Sequence, residues 1–261
     1  MNTRSKNNIE PYAIFKQIVI DRSGSMSSMG DKPVEMTHRL LMETQEQAKN
    51  TGVYTRIDVT TFDEDVTHFM QNVDPTVSDM PTFSELSQAM YPRGSTRFND
   101  TLIEEIDKLK KSKETYLKSL NKKIKNLDPK ITLILIVITD GQDNYSTSNI
   151  NTCKQVVKNF RKNNGKAILM AANMNAEIVG SNYGFNRDRC ITVHNSNEQA
   201  IESGFDAVLD SQRQISQGFD NPVFTQFQRS SSCPMNNHSF QLSPPPALQR
   251  NGNNLPLSQF Y

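Results

Sequence analysis

Tryptophan is absent from the 261 residues, and cysteine occurs only three times, at Cys153, Cys190 and Cys233, with no CxxC spacing. An odd number of scattered cysteines supports neither a disulfide framework nor a zinc knuckle. The expected setting is therefore reducing, intracellular and cytoplasmic. No apolar run reaches the ~20 residues that cross a bilayer; the longest candidate is Ile131 to Ile138. The opening residues, Met1 to Asn8, lack the apolar core of a signal peptide. Excess charge is missing too. A formal net charge of +1 gives no global argument for nucleic acid or an anionic membrane, so any electrostatic recognition is local. There is no GxSxG elbow and no P-loop. The four histidines, His38, His68, His194 and His238, show no paired metal-ligand spacing.

What the chain does have is an alternation of buried strands and amphipathic helices. Tyr12 to Ile20 is apolar except for Lys16 and Gln17, and Ile131 to Thr139 is the most apolar stretch of all. Continuous apolar runs of this length read as strands covered on both faces of a parallel sheet. Between them stand a helix from Asp31 and Pro33 to Asn50, a strand from Val53 to Phe62 and a hairpin partner from Val66 to Met70. A short helix from Ser84 to Met90 follows. Leu102, Ile106, Leu109, Leu117, Leu120, Ile124 and Leu127 recur at three- and four-residue steps and predict one long helix ending at Asp128-Pro129. A helix from Asn149, strands Ala167 to Ala172 and Cys190 to His194, and a helix from Asn197 to Ser216 complete the pattern. The order implies a doubly wound α/β fold: a mostly parallel sheet with helices on both faces and one antiparallel edge strand. Residues 1–11 read as an extension and 12–217 as the domain. Residues 218–261, rich in Pro, Gln, Ser and Asn and including the triple proline 244–246, read as a disordered tail.

The chemistry concentrates where the first strand ends, in Asp21-Arg22-Ser23-Gly24-Ser25. Gly24 is expected to supply a bend with positive φ. In an extended segment alternate residues point the same way, so Asp21, Ser23 and Ser25 converge as oxygen donors for a hard cation. Ligands of open α/β sheets bind outside the carboxyl ends of the strands. Asp140, at the end of the central strand, joins the same rim, and the Gly94-Ser95-Thr96 loop before the long helix reaches it. Two carboxylates and three hydroxyls leave six-coordination incomplete. Water or a partner's carboxylate fills the gap, a pattern suited to Mg2+ with Mn2+ as substitute. Arg22, Arg93 and Arg97 flank these loops as a candidate basic rim for an acidic partner.

Asp21-x-Ser23-x-Ser25, Thr96 in its loop and Asp140-Gly141 together resemble the metal-ion-dependent adhesion site of von Willebrand factor A domains, also found as integrin inserted domains. The resemblance spans residues 12 to 217 and includes the order of elements. It implies that Asp21, Ser23, Ser25 and Thr96 bind the ion directly or through water, and that Asp140 acts through water or as a hydrogen-bond acceptor. Many members carry two glycines before the threonine where this chain reads Gly94-Ser95. The resemblance also implies a non-catalytic domain that binds a protein ligand through a Glu or Asp completing the metal's coordination. Two other readings are a Mg2+-dependent phosphohydrolase using Asp21, against which Ser23 stands where a second acid belongs, and a scaffold whose metal is structural.

Overall fold

The computed structural model describes residues 12–126, 128–195 and 197–234. Its centre is a six-stranded sheet in the order β3-β2-β1-β4-β5-β6, built from β1 (Ala13–Asp21), β2 (Tyr54–Phe62), β3 (Val66–Val73), β4 (Ile131–Thr139), β5 (Lys166–Ala172) and β6 (Cys190–Val193). All neighbours are parallel except β2 and β3, which pair as the antiparallel edge. The order in which strands are added reverses between β1 and β4, a parallel pair that runs from Ala13 opposite Ile131 to Ile20 opposite Ile138. This is the topological switch point at which α/β sheets open a crevice. Asp21 and Asp140 stand beside it.

Alternation along the strands sends apolar side chains to both faces. Ile18, Ile20, Ile134, Ile136 and Ile138 pack with Met36, Leu40 and Leu41 of α1 (Lys32–Thr51), Leu86 of α2 (Phe83–Ala89) and Phe205 and Val208 of α7 (Glu198–Ser216). On the other face Phe15, Val19, Leu133, Leu135 and Val137 meet α3 (Phe98–Ser119), α5 (Ile150–Lys162) and α6 (Ala176–Asn182) through Leu102, Ile106, Val157 and Ala176. The doubly wound α/β class expected from the strand pattern is the fold observed. Among the described residues no helix is long and apolar enough to cross a membrane.

Four local expectations change. The long helix stops at Ser119, and Asn121 starts a separate turn, α4 (Lys122–Lys125), its side-chain oxygen accepting from the Ile124 amide at 2.9 Å. The apolar stripe is core only as far as Leu109. Beyond it Tyr116 stacks on Tyr54, centroids 4.3 Å apart, and closes that end of the sheet, while Leu117, Leu120 and Ile124 are half-exposed and Leu127 lies outside the described residues. Asp31 makes no side-chain cap, because its backbone is already helical (φ −83°, ψ −1°) and follows directly on a 3-10 turn. Gly24 does not adopt positive φ; it opens that 3-10 turn, Gly24–Met29, and its amide donates to Gly94 O at 3.2 Å. Gly94 is the residue with φ of +65°, a conformation that glycine alone takes without steric cost.

The fourth change lies past the expected boundary at 217. Phe224 is buried against the first core, and α8 (Gln226–Ser232) follows. Arg229 on α8 donates to Cys190 O and to Glu177, both at 2.7 Å, and Ser232 O accepts from the His194 amide at 3.1 Å. Low aliphatic content hid this because a single aromatic and backbone hydrogen bonds suffice to dock a short segment. The triple proline 244–246 lies outside the described residues. Phe224→Ala is expected to lower stability by about 3 kcal/mol, seen as a lower urea midpoint at unchanged slope, whereas a change in a loose tail leaves the midpoint where it was.

Lys16 is the one cation in the middle of β1, 1% exposed. Its Nζ donates to Thr44 on α1 at 2.9 Å and to the Gln212 side-chain oxygen on α7. Burial pushes its pKa down from 10.5 to about 7, the Glu43 charge opposing weakly. Between those two values the unfolded chain binds a proton that the folded chain does not, so stability rises with pH. The destabilisation is fully present below the folded pKa and vanishes only above the unfolded one. A rise on the order of 1 kcal/mol per pH unit is expected between pH 7 and 8; towards pH 9 the thiols of Cys153 and Cys190 begin to ionise in the unfolded chain while burial holds them protonated in the fold up to about 12, which opposes the rise. Urea denaturation across that range checks it, and Lys16→Met is expected to flatten the rise.

Candidate metal centre

Three loops meet above the carboxyl ends of β1 and β4. The first continues β1: the Arg22 amide bonds to Phe62 O at 2.8 Å and Arg22 O accepts from the Arg93 amide at 2.8 Å. The second, 93–97, is thereby laced to the first, and again through Gly24 N to Gly94 O. The third follows β4 and is tied to the second through Thr96, whose amide donates to the Asn144 side-chain oxygen at 2.8 Å and whose carbonyl accepts from the amides of Asn144 and Tyr145. Asp100, at the start of α3, adds a further tie. Burial works against its charge, but hydrogen bonds from Ser148, the Thr147 amide and Arg97 hold its carboxyl well below the usual range.

The five sequence-predicted donors stand together on these loops. Asp21 is 1% exposed; its Oδ1 accepts from the Ser23 amide at 2.7 Å and its Oδ2 from the Thr139 hydroxyl at 2.6 Å. The hydroxyls of Ser23 and Ser25 are 3.2 Å apart, and Ser25 donates to Asp140 Oδ1 at 2.7 Å. Thr96 completes the set beside Gly141, where a Cβ would stand 3.2 Å from the Thr96 hydroxyl and 3.6 Å from Asp21 Oδ2. A side chain at 141 would crowd into the space that two of the donors share.

The electrostatics of the cluster suit a divalent cation. Burial raises the Asp21 pKa, with Thr139 and Ser23 opposing. Burial and then the neighbouring Asp21 charge push Asp140 up to about 6, against the Ser25 hydroxyl. Two carboxylates in which burial disfavours charge, together with hydroxyls, form an oxygen-only set of the kind that suits a hard divalent cation. Among the described residues no three His, Cys, Asp or Glu side chains gather as a metal cluster; hydroxyls supply the remaining donors here.

The three arginines separate. Arg22 does not line a rim: its side chain is 7% exposed, and its guanidinium is engaged by Asp63 at 3.0 Å, Thr67 at 3.0 Å and Ala89 O at 3.1 Å. The buried carboxylate of Asp63 turns it inward. Arg93 remains 58% exposed while bonding Asp63 at 2.7 Å, and Arg97, 36% exposed, bonds Asp100 at 3.2 Å. Asp63 thus joins Arg22 and Arg93 across two loops. Burial opposes its charge, yet Arg93, the Asp65 amide and Arg22 together hold it below the usual carboxylate range, and its carbonyl accepts from the Arg97 amide. Sequence reasoning missed Thr139, and only its place as a polar residue closing an apolar strand marks it. Two exposed tyrosines, Tyr91 at 70% and Tyr145 at 55%, sit on the second and third loops. A cleft of about 300 Å³ runs from Asp21 past Met26, Asp31 and Ser87 to Tyr91.

Comparison with known proteins bears on this arrangement. The von Willebrand factor type A domain family matches residues 17–202. No curated protein sequence matches. The pilus adhesin SpaC from Lactobacillus rhamnosus GG superposes with a TM-score of 0.52 at 13% identity, over 81% of this chain and 31% of that one. The von Willebrand factor domain of the type V pilus tip protein Mfa5 from Porphyromonas gingivalis gives 0.49 at 10% identity, over 83% and 99%. Proximal thread matrix protein 1 from the mussel byssus, solved with a zinc-occupied MIDAS motif, gives 0.46 at 14%, over 79% and 46%. The chain therefore spans less than half the length of SpaC and of the mussel protein. The likeness to SpaC is one of fold. With the family match covering the sheet from β1 to the start of α7, the chain belongs to the von Willebrand factor type A domain family.

Proposed function

We propose that this domain is a non-catalytic protein-binding module that captures a Glu or Asp of a protein partner through Mg2+, with Mn2+ able to substitute. Asp21, Ser23, Ser25, Thr96 and Asp140 are the residues we assign to the ion. The observation that carries the reading is the meeting of five oxygens at the switch point, with a glycine at 141 where any side chain would intrude. Type A domains serve generally as interaction modules, and the likeness in fold to the pilus adhesin SpaC is in keeping with that. When bound, the ion supplies an electrophilic position for an outside carboxylate.

The chain's own residues do the rest. Thr139 and the Ser23 amide fix both oxygens of Asp21, and Ser25 and Asp140 hold each other on the open side. The exposed cations of Arg93 and Arg97 attract an acidic partner. Tyr91 and Tyr145 add rigid amphipathic area of the type enriched at interfaces. We place the module in a reducing compartment, where its three thiols persist.

Titration calorimetry on EDTA-stripped protein is expected to show one site for Mg2+ and Mn2+, lost in Asp21→Ala and in Asp140→Ala with the far-UV circular dichroism unchanged. Wild-type protein that takes up neither ion, with or without an acidic peptide present, defeats the reading. Peptides bearing Glu are expected to bind in Mg2+, to lose binding in EDTA, and to lose it when Glu becomes Gln. Gly141→Ala has no backbone conflict, since Gly141 lies outside the positive-φ residues. It is expected to weaken Mg2+ about tenfold, ~1.4 kcal/mol, at an unchanged melting temperature.

A further inference from the structure

The opposite end of the sheet carries a second concavity with a different chemistry. A cleft of about 1250 Å³ opens at the amino ends of β1, β4 and β5, walled by α5 and by the segment that precedes β6. Seven of its lining residues are Lys or Arg and two are Asp, in a chain whose net charge is only +1. The cations cluster here rather than scatter.

Carboxylates on the lining are fewer than the cations, and carbonyls meet several of them: Arg161 donates to Gly184 O at 2.6 Å and Lys130 to Gly218 O at 3.1 Å. Arg189 is 5% exposed; one terminal nitrogen donates to Asp220 O at 2.7 Å and to Asn221 at 3.1 Å, while its Nε is buried with no partner. Lys166 donates to the same Asp220 carbonyl at 2.9 Å. The Asp220 carboxylate, 69% exposed, is shared between Lys130 at 3.4 Å and Lys166 at 3.6 Å. Burial lowers the pKa of both Arg189 and Lys166, and the neighbouring cations Arg161 and Arg189 lower them further. Lys158, Arg161 and Lys162 on the last turns of α5 extend the positive surface to the mouth. The α5 carboxyl terminus favours cations there, but it does not account for the buried guanidinium nitrogen left without an acceptor.

We propose that this cleft binds a small molecule carrying two or more phosphate groups, held by Arg161, Lys166 and Arg189 within and by Lys158 and Lys162 at the mouth. Guanidinium forks match phosphate oxygens in pairs, and lysines add point charges. The cations are spread over two strand starts and one helix, a span that a single phosphate does not fill. A concave site with one exposed aromatic lining residue, Tyr12, lacks the row of stacking platforms that single-stranded nucleic acid uses. The phosphates belong to a soluble molecule or to a phosphoinositide headgroup.

The test uses the full chain in EDTA, so that the cation site above β1 and β4 plays no part. Calorimetry with inorganic tripolyphosphate is expected to show one site, at least tenfold tighter than for orthophosphate and weakening steeply from low to physiological salt. The double variant Lys158→Glu, Lys162→Glu, with unchanged circular dichroism, is expected to lose at least tenfold in affinity. Cosedimentation with phosphatidylinositol bisphosphate vesicles, and not with phosphatidylserine vesicles of equal charge, assigns the headgroup as source; tripolyphosphate binding without cosedimentation assigns a soluble one. Absence of binding to all of these overturns the proposal, as does a charge-reversed variant that binds like wild type. An RNA oligonucleotide that outcompetes tripolyphosphate also overturns it.

Discussion

Two carboxylates brought together at the ends of adjacent buried strands set the terms for everything above the sheet. The register of β1 against β4, Ile20 opposite Ile138, places Asp21 and Asp140 side by side whatever the loops do. Burial then disfavours charge on both, with the Asp21 charge adding to this at Asp140 and the Asp63 charge at Asp21. Such a pair persists only where neighbouring groups satisfy its oxygens. Here those groups are hydroxyls and one amide, from Ser23, Ser25 and Thr139. Hydroxyls orient a carboxylate without neutralising it, which is what the cation site we propose requires.

Asp63 solves the complementary problem of holding the loops still. Its carboxylate takes Arg22 from the first loop and Arg93 from the second, while its carbonyl takes the Arg97 amide. A buried ion pair by itself is weak evidence of stability. Its use here is geometric: one side chain fixes the loop after β1 against the loop before α3, and Asp143 and Asn144 fix the latter against the loop after β4. Donors held on mutually bonded loops lose little freedom on binding, and preorganisation of this kind raises affinity without adding contacts.

How far this was legible in sequence depends on the range of the interaction. The strands were readable because both faces of each are apolar, so Ile131 to Thr139 declares itself as the centre of a parallel sheet without reference to any other residue. That Asp21 and Asp140 stand on one rim was readable because each closes an apolar parallel strand, and Ser23, Ser25 and Thr96 were placed beside them by their loops and by the family resemblance. Arg22 was misread as surface because its partner lies 41 positions away, and charge in a loop looks the same whether it faces water or a buried acid. The break after Ser119 escaped notice because the heptad-like spacing of leucines continues past the sheet that would bury them; periodicity reports a face, not what covers it. The docking of Phe224 and α8 escaped because composition averages over a segment, while one aromatic ring and a few backbone bonds decide it.

The two ends of the sheet differ in charge for a reason that parallel architecture supplies. With every strand but β3 running the same way, the loops at the carboxyl ends lead into the amino ends of the covering helices, and the loops at the amino ends receive the helices' carboxyl ends. Helix starts favour acids and helix ends favour cations. Asp100 in the first turn of α3 and Arg161 and Lys162 in the last turn of α5 follow that rule. The rule sorts charge between the ends but does not bury it. Asp21 and Asp140 at one end and Arg189 and Lys166 at the other go further, each held where burial disfavours its charge. The fold thus holds charge where burial disfavours it at both poles, anionic at one and cationic at the other, so the two sites we propose take ligands of opposite sign and share no atoms.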